Sequence, residues 1–137
     1  MPAARASAAP MVPVLLTGDV DYSQHHHPAD KERALAEVAA AGRELRGGIT
    51  YFFVAREAQQ VPEHPARLAA AGHEVGCHGL THGNEEEYDS MPVPMQEQYL
   101  QEASSILAGL AGRAIVSFRG PRVKVSGPTL AILGRLG

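Results

Sequence analysis

Two histidines, His78 and His82, are the residues of this 137-residue sequence whose spacing most directly suggests chemistry. They lie four positions apart in a glycine-flanked stretch, residues 72–83 (GHEVGCHGLTHG). Side chains four residues apart lie on the same face of a turn, so the two imidazoles can converge. Two converging imidazoles need only an acidic third ligand to form a metal site with an open position. The alternative is that both are surface histidines in a glycine-rich loop.

Two aspartates and an arginine come directly after apolar runs elsewhere in the chain. Asp19 and Asp21 follow residues 11–17 (MVPVLLT), which are predicted to form a buried first strand. Where the backbone bends at a strand end, both carboxylates can face one pocket. The alternative is that each only accepts hydrogen bonds from loop amides, as aspartate often does in turns. Arg119 follows another apolar run, residues 114–118, in the same way.

Strand and helix patterns alternate along the chain and would position these residues. Strands are predicted over residues 11–17, 49–54, 74–77 and 114–118, and helices are predicted to begin near residues 30, 63, 92 and 128. Four strand–helix units predict an α/β fold with a parallel sheet and outer helices. The carboxyl ends of parallel strands share one edge of the sheet, where active sites are built. The acidic run 85–89 is interpreted as a solvated loop.

Composition and charge exclude several functional classes. The sequence has 12 Lys and Arg against 15 Asp and Glu, which argues against nucleic acid as a partner. Cys77 is the single cysteine, so an internal disulfide is excluded, and it is interpreted as a small buried hydrophobe instead of a nucleophile. Residues 1–10 are interpreted as a loose leader. The absence of a signal-peptide core or membrane span predicts a cytoplasmic location and no membrane partner.

Taken together, these motifs resemble those of the polysaccharide deacetylases, the NodB-homology proteins of carbohydrate esterase family 4. Residues 17–21 (TGDVD) are similar to the first family motif, in a variant with one residue between the aspartates. Residues 72–82 are similar to the second motif, GHE-[IV]-G-x-H-x-x-x-H, and residues 117–121 (SFRGP) to the third, F-R-x-P. The resemblance covers residues 11–137. It implies a partial distorted (β/α) barrel of about four βα units.

The resemblance also implies a role for each site residue. Asp21, His78 and His82 would hold one divalent metal ion, zinc first, with cobalt, nickel and manganese as alternatives that accept the same ligands. Asp19 would be the general base that activates water, and Arg119 would keep Asp19 ionised and oriented. The implied activity is that of a metal-dependent amidohydrolase that removes N-acetyl groups from amino sugars or polysaccharide.

One departure from the family pattern leaves alternatives open. The sequence ends at Gly137 without the late histidine that serves the family as general acid, so the domain is expected to be incomplete at its C-terminal end. A second chain or self-association would then complete the barrel, or the sequence is a fragment of a longer protein. His25, His26 or His27 is a candidate replacement acid, and the alternative is that all three are exposed loop histidines. The rival functions are a cyclic imide or ureide amidohydrolase of the same fold and a non-catalytic binding or structural module.

Overall fold

The computed structural model describes residues 12–21, 27–44 and 48–137. The elements in chain order are β1 (Thr17–Val20), α1 (Pro28–Glu44), β2 (Thr50–Phe53), α2 (Ala55–Ala58), α3 (Glu63–Ala70), β3 (Glu74–Cys77), α4 (Val93–Ala111) and α5 (Gly127–Leu136), with a 3₁₀ turn at Pro121–Val123 before the last helix. Within those ranges the strands form one parallel sheet in the order β1-β2-β3. The predicted α/β fold with a parallel sheet is confirmed.

The register of the sheet aligns the carboxyl ends of the strands. Val20 pairs with Phe53, Phe53 pairs with Cys77, and Cys77 forms an isolated parallel bridge with Phe118. The residues that follow these four positions therefore lie along one edge of the sheet. Asp21, His78 and Arg119 are three of them, and His78 and Arg119 follow two directly paired positions.

The first strand begins later than the sequence predicts. The apolar run was expected to be a buried strand over residues 11–17, but residues 12–16 lie outside any strand and β1 covers Thr17–Val20. Val12 and Leu15 are 80% and 89% exposed. Pro13 has no N–H to donate to a strand ladder, which disfavours pairing there. The Leu16 carbonyl, directly before β1, accepts the Thr50 N–H of β2.

The predicted fourth strand, residues 114–118, is reduced to one bridging residue. Cys77 donates its N–H to the Ser117 carbonyl and accepts from the Arg119 N–H, each at 2.9 Å. A strand ladder needs successive facing residues, and Cys77 is the last residue of β3. The segment is therefore tied to the sheet at one point, directly before Arg119.

The helices follow their sequence signals with local differences. Gly72 adopts φ +89° just after α3, as the predicted helix-ending glycine should. Pro65 is the third residue of α3, although it was expected at the first position, and the short α2 was not predicted. Helix α5 is capped by Ser126, whose hydroxyl accepts the Thr129 N–H, whereas Pro128 was expected to open it. None of the helices in the described ranges has the length and apolarity that a membrane span needs.

The core lies between the sheet and the helices on its β3 side. Tyr51 and Phe53 of β2 are fully buried, and the predicted apolar stripe of α4 buries Leu100, Ala103 and Leu107 against the core. On the β1 side, helix α1 buries fewer apolar groups. The described side chains of that helix include one buried residue of the core, Ala39, while its Val38 is exposed. The two edges of the sheet are therefore packed unequally.

Candidate functional site

His78 follows β3 and is held in a defined orientation. Its N–H donates to the Phe53 carbonyl at 2.8 Å, and the side chain is buried. The ring Nδ1 lies 2.8 Å from the carbonyl oxygen of Arg119. A carbonyl oxygen only accepts, so this contact assigns the ring proton to Nδ1 and leaves the lone pair on Nε2. Histidines that ligate metals are commonly oriented in this way, by donating their other N–H to a carbonyl.

The second histidine, His82, lies beside the first. The two ring centroids are 5.1 Å apart with an interplanar angle of 51°. His82 adopts φ +57°, in the left-handed region that non-glycine residues seldom occupy. The turn between the histidines begins at Gly79, which has φ +84°. The glycine-flanked turn therefore brings the two imidazoles to one place.

Arg119 holds the carboxylate of Asp19 from across the sheet. Its Nη1 donates to Asp19 Oδ1 at 2.6 Å, and its Nη2 donates to Thr17 Oγ1 at 2.7 Å. Asp19 was expected to follow the first strand, but it lies inside β1 and pairs with Phe52. Residues two apart in a strand share a face, which explains why Thr17 and Asp19 meet the same guanidinium.

The aromatic ring of Phe52 forms the support beneath this ion pair. The guanidinium carbon of Arg119 lies 4.4 Å from the centroid of the Phe52 ring. The neighbouring strand makes room for the ring at Gly76, where an added Cβ would come within 2.7 Å of Phe52 Cδ1 and 2.6 Å of Ser117 Oγ. A glycine is thus required in the second motif because an aromatic side chain crosses over it.

The aspartate and the first histidine face each other without a direct bond. Asp19 Oδ2 and His78 Nε2 are 4.0 Å apart, which exceeds hydrogen-bond distance. Arg119 contacts both residues, the aspartate through its side chain and the histidine through its carbonyl. The structure therefore brings His78, His82, Asp19 and Arg119 to one edge of the sheet.

Asp21, the third predicted metal ligand, is placed less closely. It is exposed just beyond the end of β1, and its carbonyl accepts a bond from Lys31 Nζ at 3.0 Å. Across residues 12–21, 27–44 and 48–137, no three His, Cys, Asp or Glu side chains are grouped closely enough to hold a metal ion. Two adjacent imidazoles suit a divalent ion, but the carboxylate that would complete the set is not gathered with them.

The histidine run that was considered as a source of acid falls mostly outside the described residues. His25 and His26 lie in the segment 22–26, which the structure does not describe. His27 is exposed, and its Nδ1 accepts the N–H of Ala29 at 3.3 Å. The assignment of a general acid to this run stays a prediction.

A buried glutamate, Glu86, is the site residue that the sequence did not reveal. The acidic run 85–89 was expected to be solvated, yet Glu86 and Tyr88 are fully buried, while Glu85 is exposed. Glu86 Oε2 accepts the backbone N–H of His82 at 2.8 Å. Three consecutive glutamates give no periodicity that would distinguish the buried one, so no sequence signal pointed to it.

Cys77 sits next to His78 but has no chemical role. Its thiol is buried, and burial raises the pKa of this thiol to about 12. A thiol with such a pKa is protonated at neutral pH and is a poor nucleophile. The prediction of a small buried hydrophobe is confirmed.

A crevice of about 210 Å³ lies beside the carboxylates. It is lined by Asp19 and Asp21 together with Lys31 of α1 and the rings and methyl groups of residues such as Tyr51 and Leu35. A wider cavity of about 320 Å³ is lined mainly by apolar residues near the end of α5, including Leu133 and Leu136, and contains none of the predicted site residues. Of the predicted site residues, these two openings are bordered by the two aspartates and by neither histidine nor Arg119.

Comparison with known proteins agrees on one family. The family model described as polysaccharide deacetylase matches residues 14–137. No curated protein sequence matches the chain. Similar solved structures include a family 4 carbohydrate esterase from Streptomyces lividans in complex with acetate, at 20% identity and a TM-score of 0.72, with 90% of this chain and 58% of that chain covered.

Two further solved structures share the fold. A peptidoglycan deacetylase from Bacillus subtilis is 18% identical with a TM-score of 0.68, over 85% of this chain and 52% of that chain. A CE4 family pseudoenzyme from Bacillus anthracis is 16% identical with a TM-score of 0.75, over 89% of this chain and 40% of that chain. The chain thus spans between 40% and 58% of the length of these structures.

Proposed function

Because the chain belongs to the polysaccharide deacetylase family, we propose that it removes N-acetyl groups from amino sugars of a glycan by metal-dependent hydrolysis. The observation that carries this proposal is the double contact of Arg119. Its guanidinium binds Asp19 at 2.6 Å, while its carbonyl orients His78 at 2.8 Å. One residue therefore fixes both a carboxylate base and an imidazole ligand at the same edge of the sheet.

His78 and His82 would hold the metal ion, with Asp21 as the third ligand. Zinc suits two imidazoles and one carboxylate, and cobalt, nickel or manganese would accept the same set. When bound, the ion would supply Lewis acidity, which polarises an amide carbonyl and makes water nucleophilic near neutral pH. The support for this assignment is the Nδ1 contact of His78, which leaves Nε2 free to donate its lone pair.

Asp19 would act as the general base in this scheme. Its carboxylate takes the proton of the attacking water, and Arg119 holds the acceptor oxygens in place. Thr17 and the ring of Phe52 restrict the guanidinium in turn. The products are acetate and a free amine, and the amine must gain a proton as it leaves. His25, His26 or His27 is a candidate source of that proton, and the alternative is that all three are exposed loop histidines.

A non-catalytic role is the second candidate function. One solved structure with this fold is a CE4 family pseudoenzyme, so the fold also occurs without activity. In the present chain, Asp21 is exposed and is not gathered with the two histidines. A chain of this kind would bind a glycan, or a metal ion, without turnover. Association with a second chain and a cytoplasmic location also remain predictions.

Metal analysis combined with an acetate assay tests the proposal. Purified protein would be loaded with zinc, dialysed and analysed for metal, then incubated with a chitooligosaccharide. We expect about one metal ion per chain and release of acetate. Asp19→Asn is the matched variant, since it keeps the shape of the side chain and removes the base. Metal retention without acetate release in the unsubstituted protein would favour the binding role, and hydrolysis of a cyclic imide instead would identify the related amidohydrolase activity.

A further inference from the structure

The carboxylate of Glu86 is buried inside the loop that carries the second histidine. Its Oε1 accepts the N–H of Leu80 at 2.6 Å and the hydroxyl of Tyr88 at 2.8 Å. Its Oε2 accepts the N–H of Thr81 at 2.7 Å and that of His82 at 2.8 Å. The Thr81 hydroxyl lies 3.1 Å from the same oxygen. One side chain thus satisfies the backbone donors of three consecutive residues.

These bonds bear directly on the conformation of His82. Non-glycine residues persist in the left-handed region only where surrounding contacts hold them there, and His82 has φ +57°. The N–H of His82 and the N–H groups of the two residues before it all end on Glu86. Charge-assisted bonds of this kind are short and strong compared with bonds between neutral groups. Glu86 is therefore the group that fixes the backbone from which the His82 ring projects.

The rest of the loop is built around the same carboxylate. At Gly79 an added Cβ would lie 2.6 Å from Glu86 Oε1, so the glycine makes room for it. Arg122 reaches the loop from the opposite side and donates to the carbonyls of His82 and Gly83 at 3.2–3.3 Å. Those bonds are longer than the bonds to Glu86, and the arginine is partly exposed. The contribution of Glu86 to holding the loop is thus the greater one.

We propose that Glu86 is a positioning residue that sets the metal affinity of this site through His82. The inference rests on the proposed function, since it takes His82 as a metal ligand. Glu86 itself is placed away from the reacting atoms and acts through the backbone of the loop. Partners behind the first ligands of a metal ion typically change its affinity by about 10- to 100-fold.

The test compares Glu86→Gln and Glu86→Ala with Glu85→Gln. An amide has one acceptor oxygen and one NH2 group, so glutamine leaves part of the donor set facing another donor, and alanine removes every acceptor. Glu85 is an exposed neighbour that contacts the loop through the Thr81 hydroxyl at 2.9 Å. Titration with Co²⁺, followed by its absorption spectrum, should show about 10-fold weaker binding for Glu86→Gln and about 100-fold for Glu86→Ala. Glu85→Gln should bind like the unsubstituted protein.

A second measurement separates positioning from folding. Hydrogen exchange of the amides of residues 80–82 in the metal-free protein should accelerate in Glu86→Gln, while amides of α4 keep their protection. Unchanged Co²⁺ affinity in both Glu86 variants would overturn the inference, and so would loss of protection across α4, which indicates general unfolding. If the unsubstituted protein binds no Co²⁺, the proposed function fails and the inference falls with it. If the unsubstituted protein and both Glu86 variants bind Co²⁺ equally well, the proposed function stands and the inference about Glu86 alone is rejected.

Discussion

The two edges of the sheet hold their site residues by different means. At the β3 edge, His78 is buried and bonded on both sides, and the loop that follows it is fixed by the buried Glu86. At the β1 edge, Asp19 is partly exposed, and the residues before it, 12–16, lie outside the sheet with their apolar side chains in solvent. His78 is thus buried and His82 is held by a buried carboxylate, whereas Asp19 is partly exposed and is held by the side chain of Arg119.

This difference shows which contacts set the orientation of each site residue. Exposed ion pairs stabilise a protein by at most about 1 kcal/mol, so the Arg119–Asp19 bond orients Asp19 without contributing much to folding. His78, in contrast, is oriented by a backbone carbonyl that folding itself puts in place, and the backbone at His82 is held by the buried carboxylate of Glu86. Changes at the β3 edge should therefore alter metal binding and stability together, while a change at Asp19 should alter activity alone.

The largest expected effect distinguishes the proposed metal ligands from the proposed base. His78→Ala removes the oriented imidazole and Asp21→Ala removes the proposed carboxylate ligand, so each should abolish metal binding and deacetylation together. Asp19→Asn should keep the metal and lower the rate of acetate release by about 10²- to 10⁴-fold, the range for a general base. Elemental analysis beside the acetate assay measures both. Full metal retention in His78→Ala would refute the site assignment.

The second comparison concerns stability and uses leucines on the two sides. Leu107 of α4 is fully buried in the core, so Leu107→Ala should lower the free energy of unfolding by about 2–5 kcal/mol. Leu15→Ala, beside β1, should change it by less than about 0.5 kcal/mol, because that side chain is exposed. Urea denaturation followed by circular dichroism measures both values. Equal losses would mean that residues 12–16 are packed in solution.

Two glycine substitutions compare how much backbone freedom the loop after β3 and the strand β1 require. Gly79→Ala forces an alanine to φ +84° and against the Glu86 carboxylate, and it should cost about 1–3 kcal/mol of stability. Gly18→Ala in β1 meets only ordinary contact, with Tyr51 Cδ1 at 4.0 Å. It should be neutral or gain about 0.5 kcal/mol, as alanine usually does over glycine in a strand. Thermal melts of both variants test this, and a stabilising Gly79→Ala would show that the loop is free to rearrange.

The smallest expected effect is a pH dependence from Cys77. Burial raises the pKa of its thiol from 9.0 to about 12, so between these values the unfolded chain loses a proton that the folded chain keeps. This contribution to stability is complete below about pH 9 and is lost as pH rises towards 12. At pH 10 the loss should be about 1.4 kcal/mol relative to pH 8. The free energy of unfolding of both proteins is measured between pH 8 and pH 10, and the Cys77→Ala variant reports the contribution of the other groups that titrate in this range. Identical pH profiles for the two proteins would contradict the attribution of this loss to Cys77.

The elements with strong local patterns could be predicted from the sequence. The β-branched and aromatic run before Val54 and the short apolar run ending at Cys77 gave β2 and β3, and the apolar stripe of α4 is buried as expected. Each pattern is set by neighbours in the chain. The same signals put His78 and Arg119 at one edge, because parallel strands share their carboxyl ends.

The features that were missed depend on contacts between distant residues. Residues 12–16 are as apolar as a buried strand, but Pro13 prevents regular pairing and β1 begins at Thr17. The run before Arg119 meets only the last residue of β3, so it does not form a strand. Glu86 is buried because Gly79 and the loop amides surround it, and neither fact can be read from three identical neighbours.

Arg119 has one further consequence, for how the sequence can vary. Its guanidinium can be removed by substitution, but its carbonyl belongs to the backbone and survives every exchange of side chain. A variant such as Arg119→Gln would thus lose its hold on Asp19 and keep His78 in the same tautomer. The orientation of His78 depends instead on local register: one residue inserted or deleted between Phe118, which bridges Cys77, and Arg119 would place a different carbonyl opposite Nδ1. A change of side chain at position 119 therefore affects Asp19, while the orientation of His78 depends on which residue's carbonyl lies opposite its ring.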